Sequence, residues 1–244
     1  MSRKNAGTIS TRTATIFSGG RDVDVPPLVL PENIEPNTKL KMDGLAFLEA
    51  LPDAAIPVAF FDPQYRGVLD RLSYGNERTG RCRRRSALQQ MPEDIIGRFI
   101  RDIDRVLIPS GHLFLWVDKF HLCQGVHVWL ADTVLDIVDL VTWDKDTFGM
   151  GYRTRRRAEY CIVLQKKPRK AKGVWKVHTI TDVVRERVSR KDHLHAKPVG
   201  LQGELIAAAS NEGDYVIDPA AGSFSVMHAA QSRNRNFIGC DVNG

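Results

Sequence analysis

The segment Phe60-Phe61-Asp62-Pro63-Gln64-Tyr65 puts a carboxylate, a proline and an aromatic ring at the end of a short apolar run. Those residue types at that spacing suit chemistry on the exocyclic amino group of a nucleobase. Such a group is a poor nucleophile, because its lone pair is delocalised into the ring. Two acceptors gripping its N–H bonds favour a more tetrahedral nitrogen and stabilise the charge that develops during attack. The Asp62 carboxylate and the Pro63 carbonyl can form that pair, and Tyr65 can stack on a base taken out of the duplex. Taken alone, D-P-x-Y is more simply a turn after a strand.

A second set of residues lies near the end of the chain. A short apolar strand, Tyr215 to Asp218, runs into Pro219-Ala220-Ala221-Gly222-Ser223 and then a helical pattern. Small residues there let a ligand approach the backbone beside exposed helix amides. A second strand ends in Asp241, at about the 20-residue offset where Rossmann-like folds hold a ribose by its hydroxyls. The stretch lacks the G-x-G-x-x-G of a dinucleotide site, which disfavours NAD. On spacing alone, a nucleoside site and an ordinary βαβ unit with a small-residue turn are equally good readings.

Together these motifs resemble the amino-methyltransferases of DNA, which modify adenine N6 or cytosine N4. Asp62-Pro63-Gln64-Tyr65 is similar to the family's D-P-P-Y, with glutamine for the second proline. D-P-A-A-G-S-F-S (218–225) resembles D-P-F-x-G-S-G-T, with Phe224 in place of glycine, and H-A-K-P (195–198) resembles the lysine-proline motif that precedes it. The resemblance covers most of residues 40–241, and the motif order is that of the permuted β class. It implies a Rossmann-like fold that binds S-adenosylmethionine. Asp62, Pro63 and Tyr65 are then the catalytic residues. Asp62, Lys197, Pro198, Asp218, Ala220, Gly222, Ser223 and Phe224 lie about the cofactor, Asp43 contacts its adenine end, and Asp241 its ribose. Aspartate at position 62 favours adenine, since cytosine-N4 enzymes commonly begin the motif with serine. The alternatives are a cytosine-N4 or RNA methyltransferase, or a weakened enzyme that binds cofactor and DNA. Members of the class are often dimers, so a second copy is an expected partner.

The elements that must position these residues follow from hydropathy. PVAFFD (57–62) reads as a buried parallel strand. Residues 91–107 carry apolar side chains at helical spacing behind a Pro92-Glu93-Asp94 start. Strands are expected at 112–117, 136–143, 158–166, 214–219 and 236–241, with helices at 121–134, 199–210 and 222–233. This alternation predicts an α/β fold, a mostly parallel sheet with helices on both faces. An arm over 1–38 precedes one domain over 39–244. That domain divides into a catalytic half (39–165), a basic connector with a possible target-recognition role (166–192) and a cofactor half (193–244). Residues 66–90, polar and Arg-rich, read as a mobile loop.

The formal net charge of +6 is unevenly placed. Residues 66–197 hold 27 Lys or Arg against 16 Asp or Glu, and the remainder 8 against 13. A basic middle suits a polyanion, here double-stranded DNA, although charge alone also fits solvated surface loops. The expected phosphate contacts are Arg78, Arg81, Arg83, Arg84 and Arg85, then Arg153, Arg155, Arg156 and Arg157, and Lys170 and Lys172 of the connector. The stretch around Trp175 is an equally open choice between target recognition and a solvated loop. Cys82, Cys123, Cys161 and Cys240 have neither metal-ligand spacing nor a disulfide framework, and His193 and His195 lack further ligands beside them, so no metal is expected. No apolar run approaches the ~20 residues of a membrane span, no signal peptide is evident, and a cytoplasmic location is expected.

Overall fold

A computed structural model describes residues 25–64, 91–149, 153–188 and 196–243. The elements are β1 (Leu40–Lys41), α1 (Gly44–Glu49), β2 (Ile56–Phe61), α2 (Glu93–Val106), β3 (Leu107–Val117), α3 (Lys119–Gln124) and α4 (His127–Leu130). They continue with β4 (Leu135–Asp144), β5 (Ala158–Lys166), β6 (Val183–Arg185), α5 (Val199–Ala209), β7 (Tyr215–Asp218), α6 (Ser225–Gln231) and β8 (Asn236–Asp241). The eight described strands form one sheet in the order β1-β8-β7-β2-β3-β5-β4-β6. Pairing is parallel except where β5 runs against β3 and β4.

Every residue of β2 is buried, as expected of a central strand covered on both faces. One face packs against α1, α2 and α4 through Phe47, Ile96, Phe99, Ile100 and Trp129. The other packs against α5 and α6 through Leu201, Leu205, Val226 and Ala230. The β2-α2-β3 crossover therefore covers one face and the β7-α6-β8 crossover the other. Winding reverses between β2 and β7, which are hydrogen-bonded neighbours. Ligand crevices of open α/β sheets form at such a reversal, outside the carboxyl ends of the strands.

Local chemistry sets the helix starts. Asp43 caps α1 by accepting from the amides of Leu45 and Ala46, both at 3.0 Å. Helix α2 follows Pro92, with Glu93 and Asp94 in its first turn and Arg105 in its last, each matched to the helix dipole. Arg105 also donates to the Leu51 carbonyl at 2.9 Å and the Leu48 carbonyl at 2.6 Å, tying α2 to the end of α1.

Several expected bounds shift. The predicted helix over 121–134 is two short helices broken at Gly125, whose φ of +87° stops α3. Strand β3 begins at Leu107 instead of 112. The Pro109-Ser110-Gly111 stretch, expected as a turn, stays in the strand as an irregularity, with Ser110 at φ +61° and a register shift opposite Ile56/Val58. Of the expected arm, residues 25–38 contain no helix or strand, yet Ile34 is buried and Asn37 pairs with the Phe237 backbone. Residues 66–90, expected as a mobile loop, lie outside the described residues. Among the described residues no helix is long and apolar enough to cross a membrane.

Candidate functional site

Asp62 follows the last residue of β2, and Asp218 is the last residue of the adjacent β7. Strand adjacency thus places the two acidic turns side by side at the winding reversal. A cleft of about 450 Å³, including its open mouth, lies there. Its walls are Phe60, Asp62, Gln64, Trp116, Lys197 and Gln202, with Asp218, Ala220, Ala221, Gly222, Ser223, Ser225 and Val226.

Lys197 stands just before α5, and its Nζ donates to Asp62 Oδ2 at 2.5 Å. The same ammonium lies 3.3 Å from Glu159 Oε2, and Lys145 donates to Glu159 Oε1 at 2.7 Å. The four charges form an alternating chain, Asp62–Lys197–Glu159–Lys145. Burial penalises the Lys197 charge most, but the attraction of Asp62 and then Glu159 outweighs it and raises its pKa. For Glu159, burial is likewise outweighed by Lys197 and Lys145, and the carboxyl falls to about 2. Glu159 was not singled out in the sequence. It sits in an apolar strand pattern, and only the β3–β5 pairing brings it beside Lys197.

Across the cleft, Asp218 Oδ1 accepts from the Ala220 amide at 3.1 Å. Burial pushes the Asp218 carboxyl up to about 7, with Asp62 and Asp241 adding to the rise while the Ala220 bond and Lys197 oppose it. Gly222 adopts φ +49°, and a Cβ there would meet nothing within 4 Å. The backbone of the loop is therefore open to the cleft, as close approach of a ligand requires.

The remaining predicted residues divide. Pro63 is buried behind Asp62, and Gln64 accepts from the Met91 amide at 2.7 Å through its carbonyl, so a backbone bond steadies the turn that lacks a second proline. Tyr65 lies outside the described residues, as do Arg78, Arg81, Arg83, Arg84, Arg85, His193 and His195. Pro198 is the N-cap residue of α5 and is not in the cleft wall. Asp43 and Asp241 are also outside the wall, but they end at the same edge of the sheet. A Cβ on Gly44 would lie 2.2 Å from the Pro219 carbonyl, so α1 begins directly against the Asp218 turn.

Phe224 departs from expectation. Its φ of +57° is the conformation that a glycine would adopt without strain. Its ring, 2% exposed, packs edge-on against Phe237 at 6.2 Å and is not part of the cleft wall.

The basic clusters divide by edge. Strand β5 starts at Ala158 beside the carboxyl end of β3 and finishes at Lys166, whose ammonium bonds the Leu107 carbonyl at the far edge. Arg153 and Arg155 are exposed and shortly precede β5, whose start lies at the carboxyl end of β3. Arg156 lies 5.5 Å from the Phe120 ring. Arg157 is held by Asp144, at 2.6 and 2.8 Å, in a pair that also lowers the Asp144 pKa, so it serves the sheet end first. Lys170 and Lys172 are exposed, and the Lys170 backbone is fixed to Gln165, toward the end of β5 remote from Asp62. Around Trp175 the chain is not a solvated loop, since Trp175 is half-buried, packs on His112 and Phe114 and donates to the Val177 carbonyl. Among the described residues no group of His, Cys, Asp or Glu could hold a metal ion.

Comparison with known proteins places this geometry. A family model described as DNA methylase matches residues 93–244. The Type II methyltransferase M.HhaII of Haemophilus parahaemolyticus is 55% identical over 207 residues, which is 84% of this chain and 91% of that one. The crystal structure of an M1.HpyAVI–SAM complex shares the fold with a TM-score of 0.60 at 16% identity, covering 84% of this chain and 92% of that chain. The cytosine-N4-specific PvuII DNA methyltransferase shares it with a TM-score of 0.62 at 15% identity, over 85% and 84% of the two chains.

Proposed function

The chain belongs to the DNA methylase family, and on that premise we propose that it methylates the N6 amino group of adenine within a defined site in double-stranded DNA. S-adenosylmethionine, the cofactor of these enzymes, supplies an electrophilic methyl group on a sulfonium. The observation that carries the reading is the meeting of Asp62-Pro63 with the Asp218–Ser223 loop across one cleft, at the winding reversal of the sheet.

The residues have separable tasks. Asp62 and the Pro63 carbonyl accept the two N–H bonds of the target amino group. Lys197 fixes the Asp62 carboxylate through one oxygen. A carboxylate offers about four lone-pair sites, so this bond does not exhaust its capacity to accept. Because Glu159 shares the Lys197 charge, Asp62 keeps more of its own negative charge for the reacting nitrogen as positive charge grows there. Asp218 and the open backbone around Gly222 hold the donor, and Tyr65 stacks on the displaced base. Arg153 and Arg155, exposed shortly before β5, contact phosphates and position the duplex.

Adenine is chosen because the motif begins with Asp62 and not serine. The fold is shared with a cytosine-N4-specific enzyme and does not itself discriminate. The test is nucleoside mass spectrometry on DNA from cells that lack their own adenine methylation, expressing either the protein or Asp62→Ala. N6-methyladenine is expected only with the intact protein. N4-methylcytosine in its place overturns the base assignment, and equal methylation by Asp62→Ala overturns the catalytic one.

A further inference from the structure

Two buried polar atoms in the cleft wall have no role in the scheme above. Trp116 and Gln202 are each 1% exposed, and both line the cleft. Among the described residues, Trp116 Nε1 and Gln202 Oε1 make no hydrogen bond within the protein. Buried polar atoms are almost always paired, because desolvating them without a partner is costly. Phenylalanine and leucine would fill the same space without that cost. A donor and an acceptor left unpaired in one cleft point to a ligand that accepts and donates there.

We propose that Trp116 and Gln202 grip the amino-acid end of the methyl donor. The indole N–H donates to its carboxylate, and the Gln202 amide oxygen accepts from its ammonium. The proposal rests on the reading that this cleft takes S-adenosylmethionine. The division of roles follows from inventory: an indole can only donate, and an amide oxygen can only accept. Only the amino-acid end of that ligand carries a charged acceptor and a charged donor, both borne by one carbon. The elements place both residues well. Phe61 is in register with Leu115, which sets Trp116 beside Asp62 at the mouth of the sheet. Gln202 lies in the first turns of α5, just beyond Lys197, where its backbone N–H donates to the Pro198 carbonyl at 3.0 Å. The Lys197 ammonium stands 5.5 Å from the Trp116 ring centroid, a cation on the indole face that holds the ring in place. Lys197 and Asp218 add matching charges on either side of the same zwitterion.

Calorimetric titration of the full chain with three ligands tests this. They are S-adenosylhomocysteine, its decarboxylated form, and 5′-methylthioadenosine, which lacks the amino-acid end. Trp116→Phe is expected to weaken S-adenosylhomocysteine about ten-fold, the low end for a hydrogen bond to a charged partner, and to leave the decarboxylated ligand unaffected. Gln202→Met is expected to weaken both of those ligands by a similar factor and to spare 5′-methylthioadenosine. Gln202→Glu, which keeps an acceptor, restores binding. Retained binding of 5′-methylthioadenosine shows that a variant is folded. Equal loss of all three ligands, or no loss of any, overturns the assignment. Failure of the unaltered protein to bind S-adenosylhomocysteine overturns the cofactor reading itself, and this assignment with it.

Discussion

Asp218 should make the ligand-free protein less stable as pH rises through neutrality. Its side chain is 5% exposed, and burial, ahead of the neighbouring carboxylates, lifts its carboxyl to about 7 from an ordinary 3.8. A raised acid keeps its proton in the folded state where the unfolded chain has lost it. Stability from this group is thus complete below the unfolded value, declines as pH climbs past it, and reaches its full loss above the folded value. At pH 5 the cost is about 2 kcal/mol, and at pH 8 just over ~4 kcal/mol, each from ~1.4 kcal/mol per pH unit between the two values. Asp218→Asn removes the titration and keeps an oxygen for the Ala220 amide. Other groups titrate alike in both proteins and cancel in the difference. The variant should therefore gain about 2–3 kcal/mol on the parent between pH 5 and pH 8, which for a chain of this size is about 5–10 °C in Tm. Thermal unfolding of both proteins at the two pH values measures it. A Tm gap that stays constant between them refutes the reasoning. On the proposed binding mode, a ligand ammonium beside Asp218 restores its ionisation, so ligand binding near pH 6 should release a proton. Calorimetry in buffers of different ionisation enthalpy reads that release.

Three further outcomes are expected. Lys197→Met leaves Asp62 and Glu159 without their shared cation. With all three side chains less than a third exposed, the loss should be about 3 kcal/mol by denaturant unfolding; no loss would mean that the charge chain is ornamental. Phe224→Gly relieves a left-handed residue by ~1 kcal/mol but deletes a fully buried ring worth ~3–5 kcal/mol, so it should destabilise by a few kcal/mol net. A more stable variant would show that the cofactor loop was strained beyond what its packing returns. Arg153→Ala and Arg155→Ala should each lower the salt slope of DNA binding by about 1, while Lys170→Ala and Lys172→Ala leave it unchanged. A lysine effect equal to the arginine effect would mean that DNA also reaches the far edge of the sheet.

What was legible in the sequence was what depends on neighbours along the chain. The unbroken apolar run of β2 gave a central strand because both of its faces are covered, and the strand at 158–166 matches its predicted bounds. Pro109-Ser110-Gly111 misled, because a kink within a strand and a turn between elements call on the same residues. Gly125 gives no sign in the pattern, because one left-handed residue suffices to break a helix while the apolar spacing on either side continues. Glu159, Trp116 and Gln202 were invisible for a different reason. Each lies in a run whose pattern is satisfied by burial alone, and only the assembly of the sheet with α5 brings Trp116 and Gln202 to one cleft and Glu159 to Lys197.

The same distinction explains why two motifs at opposite ends of the chain make one site. Asp62 and Lys197 are separated by 135 positions and yet are 2.5 Å apart. No local signal encodes that contact. It follows from β2 pairing with β7 in parallel, which sets both carboxyl ends at one edge, and from the two crossovers lying on opposite faces, which leaves the space between them uncovered. Either motif alone is an ordinary acidic turn. Their chemistry depends on strand adjacency and not on order along the chain, so a catalytic motif that precedes the cofactor loop serves the cleft as well as one that follows it. The swap of Phe224 for glycine is tolerated on the same logic, since its ring goes into the core between α6 and β8 and the loop backbone facing the cleft is left open at Gly222.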